Sequence, residues 1–105
     1  MIIQQGDVII ESIEAIPAEA KKGKLKAGNI ILAEGETTGH AHRITEVAGV
    51  TFREGADGMF YLQNREKLSV THEEHNTVSV PPGIWRVRKV QEYDHFAEEA
   101  RAVAD

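Results

Sequence analysis

The sequence predicts an all-β domain, a small antiparallel β-barrel or sandwich, with a short C-terminal helix. β-branched residues and a period-two alternation of apolar and polar side chains recur along most of the chain. Nine glycines and three prolines separate these stretches at short intervals. The 105 residues suit one domain with a single modest core, so we assign residues 1–105 to a single β-rich domain.

The individual strands follow from this alternation and from the turn residues between them. A long connection is expected at 14–29, because Pro17, Gly23 and Gly28 interrupt it. A hairpin turn is expected between Gly55 and Gly58. The predicted strands are 7–13, 29–34, 40–47, 50–53, 59–63, 66–72, 77–80 and 84–92.

The last segment changes character and predicts a helix over 94–104. Asp94 is a suitable N-cap, and Phe96, Ala100 and Val103 share one helical face. A helix of about ten residues is marginal alone, so it needs a surface of this domain or of a second copy. Together with the modest core, this requirement predicts a homo-oligomer.

Composition excludes several classes of protein. Twelve basic and seventeen acidic residues give a net charge of −5, which disfavours nucleic acid as a partner. The absence of cysteine excludes disulfides, thiolate nucleophiles and cysteine-bound metal clusters. No apolar run is long enough to cross a membrane, and no secretory signal opens the chain, so we expect a cytoplasmic protein without a membrane partner.

Four of the five histidines fall in two tight pairs, and they are the distinctive chemical feature of the chain. Residues i and i+2 of a strand point to the same face, so His40 and His42 are expected side by side. Ile44 and Glu46 extend that face. Neutral imidazole and carboxylate are ligands for Zn, Fe, Mn, Ni or Cu, which makes this strand a candidate half of a divalent transition-metal site.

The second pair is His72 and His75. Within the predicted strand, His72 shares a face with Leu68 and Val70, which indicates that it points inward. If both strands line one cavity, the two pairs converge on one metal ion. Glu73 and Glu74 are interpreted as solvated turn charges. The predicted ligands are His40, His42, His72, His75 and Glu46.

The stretch 35–46, Gly-Glu-Thr-Thr-Gly-His-Ala-His-Arg-Ile-Thr-Glu, resembles the first motif of the cupin superfamily in the spacing of His40, His42 and Glu46. The resemblance implies a metal-dependent enzyme in which His40, His42 and His72 hold the ion. Glu46 or His75 then completes the shell or acts as acid or base. The second cupin motif has no counterpart, because Pro82-Gly83 follows the second histidine pair.

Most of the chain also resembles a small uncharacterised bacterial and phage-associated family. The shared motifs are Gln-Gly-Asp-Val at 5–8, the Thr-Gly-His-Ala-His segment ending at His42, Thr-His-Glu-Glu-His at 71–75, Pro82-Gly83 and Gln-Glu-Tyr at 91–93. This resemblance implies no activity that can be transferred.

Three hypotheses remain open from the sequence. The first is a homo-oligomeric β-domain with a histidine-cluster metal site of unknown activity, able to take a small-molecule ligand. The second is a structural self-assembly module in which the histidines are polar packing or pH-responsive groups. The third is a cupin-type metal-dependent enzyme. Whether the domain is an enzyme is therefore left open.

Overall fold

A computed structural model describes residues 1–35 and 38–90, which form ten β-strands. The helix predicted at 94–104 lies outside these residues. The strands are β1 (Ile2–Gln5), β2 (Val8–Ser12), β3 (Lys21–Lys22), β4 (Ile30–Glu34), β5 (Ala41–Ile44), β6 (Thr51–Glu54), β7 (Phe60–Asn64), β8 (Leu68–Val70), β9 (Val78–Val80) and β10 (Gly83–Lys89).

The strands form three antiparallel sheets. Six of them make one sheet in the order β1-β2-β10-β7-β6-β3, and the hairpins β4-β5 and β8-β9 make two further sheets. The large sheet keeps two free ends, at β1 and β3, so among the described residues it does not close on itself. The all-β, antiparallel prediction is confirmed, and the closed-barrel alternative is wrong.

Each predicted strand of the described region overlaps an observed strand, but the structure adds two. β1 was missed because the first strand was predicted to begin at Asp7, whereas Gly6 and Asp7 form the turn between β1 and β2. β3 is a two-residue strand, Lys21–Lys22, inside the predicted long connection, and it pairs with β6 at the edge of the large sheet. Lysines on an edge strand discourage pairing with another chain.

One hydrophobic core joins the three sheets. The alternating burial of the strands directs one face of each toward this core, as in β8, where Leu68 and Val70 are buried and Ser69 is not. Among the described residues, no helix is long and apolar enough to cross a membrane. The core comprises Val8, Ile10, Ile30, Leu32, Ile44, Phe52, Leu62, Leu68, Val70, Val78, Val80, Trp85 and Val87.

Candidate metal centre

A single bridge between β5 and the end of β8 sets the position of the histidines. Arg43 and Thr71 exchange both backbone hydrogen bonds, each 3.0 Å long. The next antiparallel pair outward is therefore His42 opposite His72, a non-hydrogen-bonded pair in which side chains approach closely. Their ring centroids lie 4.3 Å apart. The register of one bridge thus brings one member of each histidine pair together.

The other two histidines lie around this central pair. The ring of His40 meets that of His72 edge-on, with centroids 5.9 Å apart. The ring of His75 lies 4.8 Å from that of His72 and 6.0 Å from that of His42, parallel to the latter within 17°. All four histidines of the two sequence pairs therefore form one cluster, with His42 buried and the other three half-buried.

The turn between β1 and β2 forms the wall of the cluster next to His75. Gly6 has a φ of +57° and Asp7 does not have a positive φ, which is the pattern of a type II′ hairpin. A Cβ atom on Gly6 would lie 2.6 Å from Nε2 of His75. Glycine is therefore required here both for the backbone angle and for the space that the imidazole occupies.

Gln5, fully buried at the end of β1, connects three parts of the site. Its Nε2 donates hydrogen bonds to the carbonyl oxygens of Val70 and Asn76, both 2.9 Å long. Its Oε1 lies 2.8 Å from Nδ1 of His42. Because an atom that contacts two carbonyl oxygens must be the amide nitrogen, the Gln5 oxygen faces His42 and the imidazole Nδ1 donates to it.

His42 therefore presents its other ring nitrogen, Nε2, to the outside of the cluster. That nitrogen lies 3.6 Å from Oδ1 of Asp7, a carboxylate whose side chain is largely exposed. Burial and the neighbouring His72 lower the pKa of His42 to about 4, against the opposing effect of Asp7. The imidazole is neutral near pH 7, which is the form that binds metals.

Glu73, the residue after His72, contributes a carboxylate to the cluster. Its Oε1 accepts the backbone N–H of Ala41 at 2.9 Å, and its Oε2 accepts a hydrogen bond from Arg43 at 2.6 Å. The hydrogen bond from Ala41 and, to a lesser extent, that from Arg43 lower the pKa of Glu73 to about 2. The carboxylate is ionised at neutral pH, and each oxygen keeps a lone pair for a further partner.

Three side chains of the cluster could hold a metal ion together. His40, His72 and Glu73 each offer one ligand atom, and these atoms all lie within 4.8 Å of one another. Ligands of a tetrahedral zinc ion with bonds of about 2.1 Å lie roughly 3.4 Å apart, so the three must approach by about 1 Å on binding. Nδ1 of His72 accepts the N–H of Glu74 at 3.0 Å, a hydrogen bond that a bound cation has to replace.

The profile of a domain family of unknown function matches residues 4–90 of the chain. The chain belongs to this family, DUF8820. No curated protein and no solved structure matches it. The matched span of the DUF8820 domain contains all three segments that build the cluster: the β1–β2 turn, the start of β5 and the connection between β8 and β9.

Glu46, a predicted ligand, lies elsewhere in the DUF8820 domain. It follows the buried Ile44 at the far end of β5, and its Oε1 accepts the N–H of Ser69 at 3.3 Å. The carboxylates that the structure brings to the histidines are instead those of Asp7, Glu73 and Glu74, the last with its Oε1 3.5 Å from Nδ1 of His40. Sequence reasoning treated Glu73 and Glu74 as solvated turn charges and passed over Asp7.

An open cavity of about 680 Å³ lies beside His40. This volume falls within the range of small-molecule sites. The wall carries charges of both signs, from Lys26, Arg43 and Glu34, and Lys26 pairs with Glu34 at 2.6 Å. The remaining described lining residues are Ala27, Asn29, Ile31, Gly35, Thr38, Gly39, His40 and Ala41.

The lowered pKa of His42 predicts a loss of stability in acid for the metal-free DUF8820 domain. Because this pKa falls from 6.5 to about 4 on folding, the unfolded chain binds the proton first as pH falls. The stabilisation is complete above pH 6.5, and up to about 3 kcal/mol is lost by pH 4. Denaturant unfolding in chelator at several pH values measures this loss.

The matched variant is His42→Asn, whose amide N–H can still donate to Gln5 but does not titrate. We expect its free energy of unfolding to depend less on pH between 6.5 and 4 than that of the wild type. An equally steep dependence in both proteins would show that His42 is not the group responsible.

Proposed function

We propose that this DUF8820 domain binds a divalent transition metal through its histidine cluster, with His40, His72 and Glu73 as ligands of the first cation. The observation that carries the proposal is the convergence of these three ligand atoms within 4.8 Å. Two further imidazoles, His42 and His75, lie in the same cluster. Nitrogen and carboxylate ligands favour Zn, Fe, Mn, Ni or Cu over Mg or Ca.

The ionisation state of Glu73 supports this proposal. Glu73 carries its negative charge at neutral pH because its pKa is lowered to about 2. A cation at this position therefore meets a carboxylate that is already ionised and has no proton to displace.

A small-molecule role at this centre is favoured by the cavity beside His40. A structural metal site is closed, whereas a catalytic or ligand-binding one keeps an open position next to a concave pocket. Three protein ligands leave a fourth position for water or a small molecule. A metal-dependent enzyme is therefore the second candidate, without the cupin barrel that the sequence motif implied.

The assembly-module hypothesis is favoured by a different observation. The described histidines have partners within the protein, as His42 has Gln5 and His40 has Glu74 at 3.5 Å. Such a cluster can serve packing alone. The homo-oligomer and the cytoplasmic location stay predictions from the sequence.

Cobalt binding tests the proposal. The wild-type domain is expected to bind Co²⁺ with visible absorption bands of four-coordinate metal, and zinc should displace it. The double variant His40→Ala/His72→Ala should lose the signal of this site, because two of its three ligands are gone. Circular dichroism checks that the variant remains folded.

Glu46→Gln is the control for the loss of a predicted ligand. The structure places Glu46 against Ser69, so this variant should bind Co²⁺ as the wild type does. Loss of binding in Glu46→Gln together with retention in the double variant would contradict the proposed ligand set.

A further inference from the structure

We propose that a second divalent cation binds between Nε2 of His42 and Oδ1 of Asp7, so that the cluster holds two metal positions. The ligand is a transition metal of the zinc type, since one imidazole nitrogen and one carboxylate oxygen face each other there. Counting this cation as the second rests on the proposed function, which supplies the first. The ligands of the two cations differ, since this one uses none of His40, His72 and Glu73.

The first step of the argument is the position of the ring proton. Gln5 uses its amide nitrogen for the carbonyl oxygens of Val70 and Asn76, so only its oxygen is left for His42. That oxygen accepts the proton on Nδ1 of the imidazole. The lone pair of Nε2 is thereby fixed toward Asp7, as a second-shell partner fixes the tautomer of a metal-bound histidine.

The second step is the distance between the two acceptors. A lone pair and a carboxylate that face each other at 3.6 Å repel unless a proton or a cation lies between them. Gln5 already holds the proton of a neutral ring at Nδ1, so the place between Nε2 and Asp7 is left for a cation. The edge of a tetrahedral zinc site with bonds of about 2.1 Å is about 3.4 Å, close to the observed separation.

The third step is access and separation. Asp7 is exposed at the tip of the β1–β2 turn, so an ion can reach it from solvent, whereas His42 forms the buried wall. His42 is not among the three side chains whose ligand atoms lie within 4.8 Å of one another. The ring of His75 lies parallel to that of His42, with centroids 6.0 Å apart.

Asp7→Asn tests this position with the smallest change of shape. Asparagine suits a hairpin turn, so the fold should persist while the carboxylate charge is lost. The matched control is Asp57→Asn, in the β6–β7 turn, where the carboxylate only accepts Met59 N–H and Tyr61 O–H. Calorimetric titration with Zn²⁺ is expected to give two equivalents for the wild type and for Asp57→Asn, but one for Asp7→Asn.

Titration of Glu73→Gln separates this proposal from the first one. If the wild type binds one ion that Asp7→Asn abolishes and Glu73→Gln retains, the His42–Asp7 position stands and the first site is wrong. If one ion is lost in both variants, a single shared site exists and the second position is refuted. Unchanged binding in Asp7→Asn, or no binding in the wild type, also refutes it.

Nitrogen chemical shifts of His42 in the metal-free protein test the first step without any metal. The expected result is a neutral ring with its proton on Nδ1 in the wild type. A proton on Nε2 in the wild type would leave no lone pair facing Asp7 and would overturn the proposal.

Discussion

Replacing Gln5 with methionine is expected to lower the free energy of unfolding by about 3–5 kcal/mol, because three polar groups in buried or part-buried hydrogen bonds lose their partner at once. These groups are the carbonyl oxygens of Val70 and Asn76 and the Nδ1–H of His42. Methionine has a similar volume, so the loss comes from hydrogen bonds and not from a cavity. Urea unfolding of the metal-free protein measures it.

Gln4→Met is the matched control. Gln4 is equally buried on the neighbouring position of β1, but its amide makes one described hydrogen bond, to the carbonyl oxygen of Gly6, and its Oε1 has no partner. We therefore expect a loss of only about 1 kcal/mol. Equal losses in the two variants would show that Gln5 does not hold the three segments together.

The Gly6→Ala variant should lose about 2–5 kcal/mol of stability, since two costs add at this residue. Alanine is strained at the left-handed φ of +57°. Its Cβ also collides with His75, because Nε2 of that ring lies 2.6 Å from the ideal Cβ position. The imidazole has to move, so the NMR signals of the His75 ring should change as well. Thermal unfolding and histidine NMR spectra report the two effects.

Gly58→Ala separates these costs. Gly58 has a φ of +81° in the β6–β7 turn, and a Cβ there would meet no atom within 4 Å. This variant should lose about 1–2 kcal/mol, the cost of the backbone angle alone. If Gly6→Ala is no worse than Gly58→Ala, His75 does not occupy the space beside Gly6.

The strands of the described region could be predicted from the sequence because each carries its own signal of alternation or β-branched residues. β1 could not be recognised, since its sequence Ile-Ile-Gln-Gln lacks the alternation or β-branched run that marks the predicted strands. The order of the strands in the large sheet could not be predicted from the sequence either. The central place of β10, between β2 and β7, depends on long-range packing that no local pattern records.

The histidines could be picked out from their spacing, and the parity argument correctly placed His72 on the face of Leu68 and Val70. The same parity put Glu46 on the face of His42, but the buried Ile44 lies between them along the strand. Contact between the two pairs depends on the register of the Arg43–Thr71 bridge. This register is a tertiary property, so no sequence pattern could have predicted it.

The contributions of Gln5 and Asp7 were missed for a related reason. Gln5 contacts the carbonyl oxygens of Val70 and Asn76, 65 and 71 residues further along the chain, and Asp7 lies against His42 on β5. A buried glutamine or a turn aspartate carries no local sign of a metal site.

The metal content of the native domain tests the central claim most directly. Protein purified without an affinity tag or chelator should carry a transition metal by elemental analysis, one equivalent per chain for the first site and up to two with the second. The same protein after dialysis against a chelator should take the metal up again. No metal in the native protein, and no uptake after incubation with Zn, Fe, Mn, Ni or Cu salts, would contradict a metal function and leave the histidines as packing or pH-responsive groups.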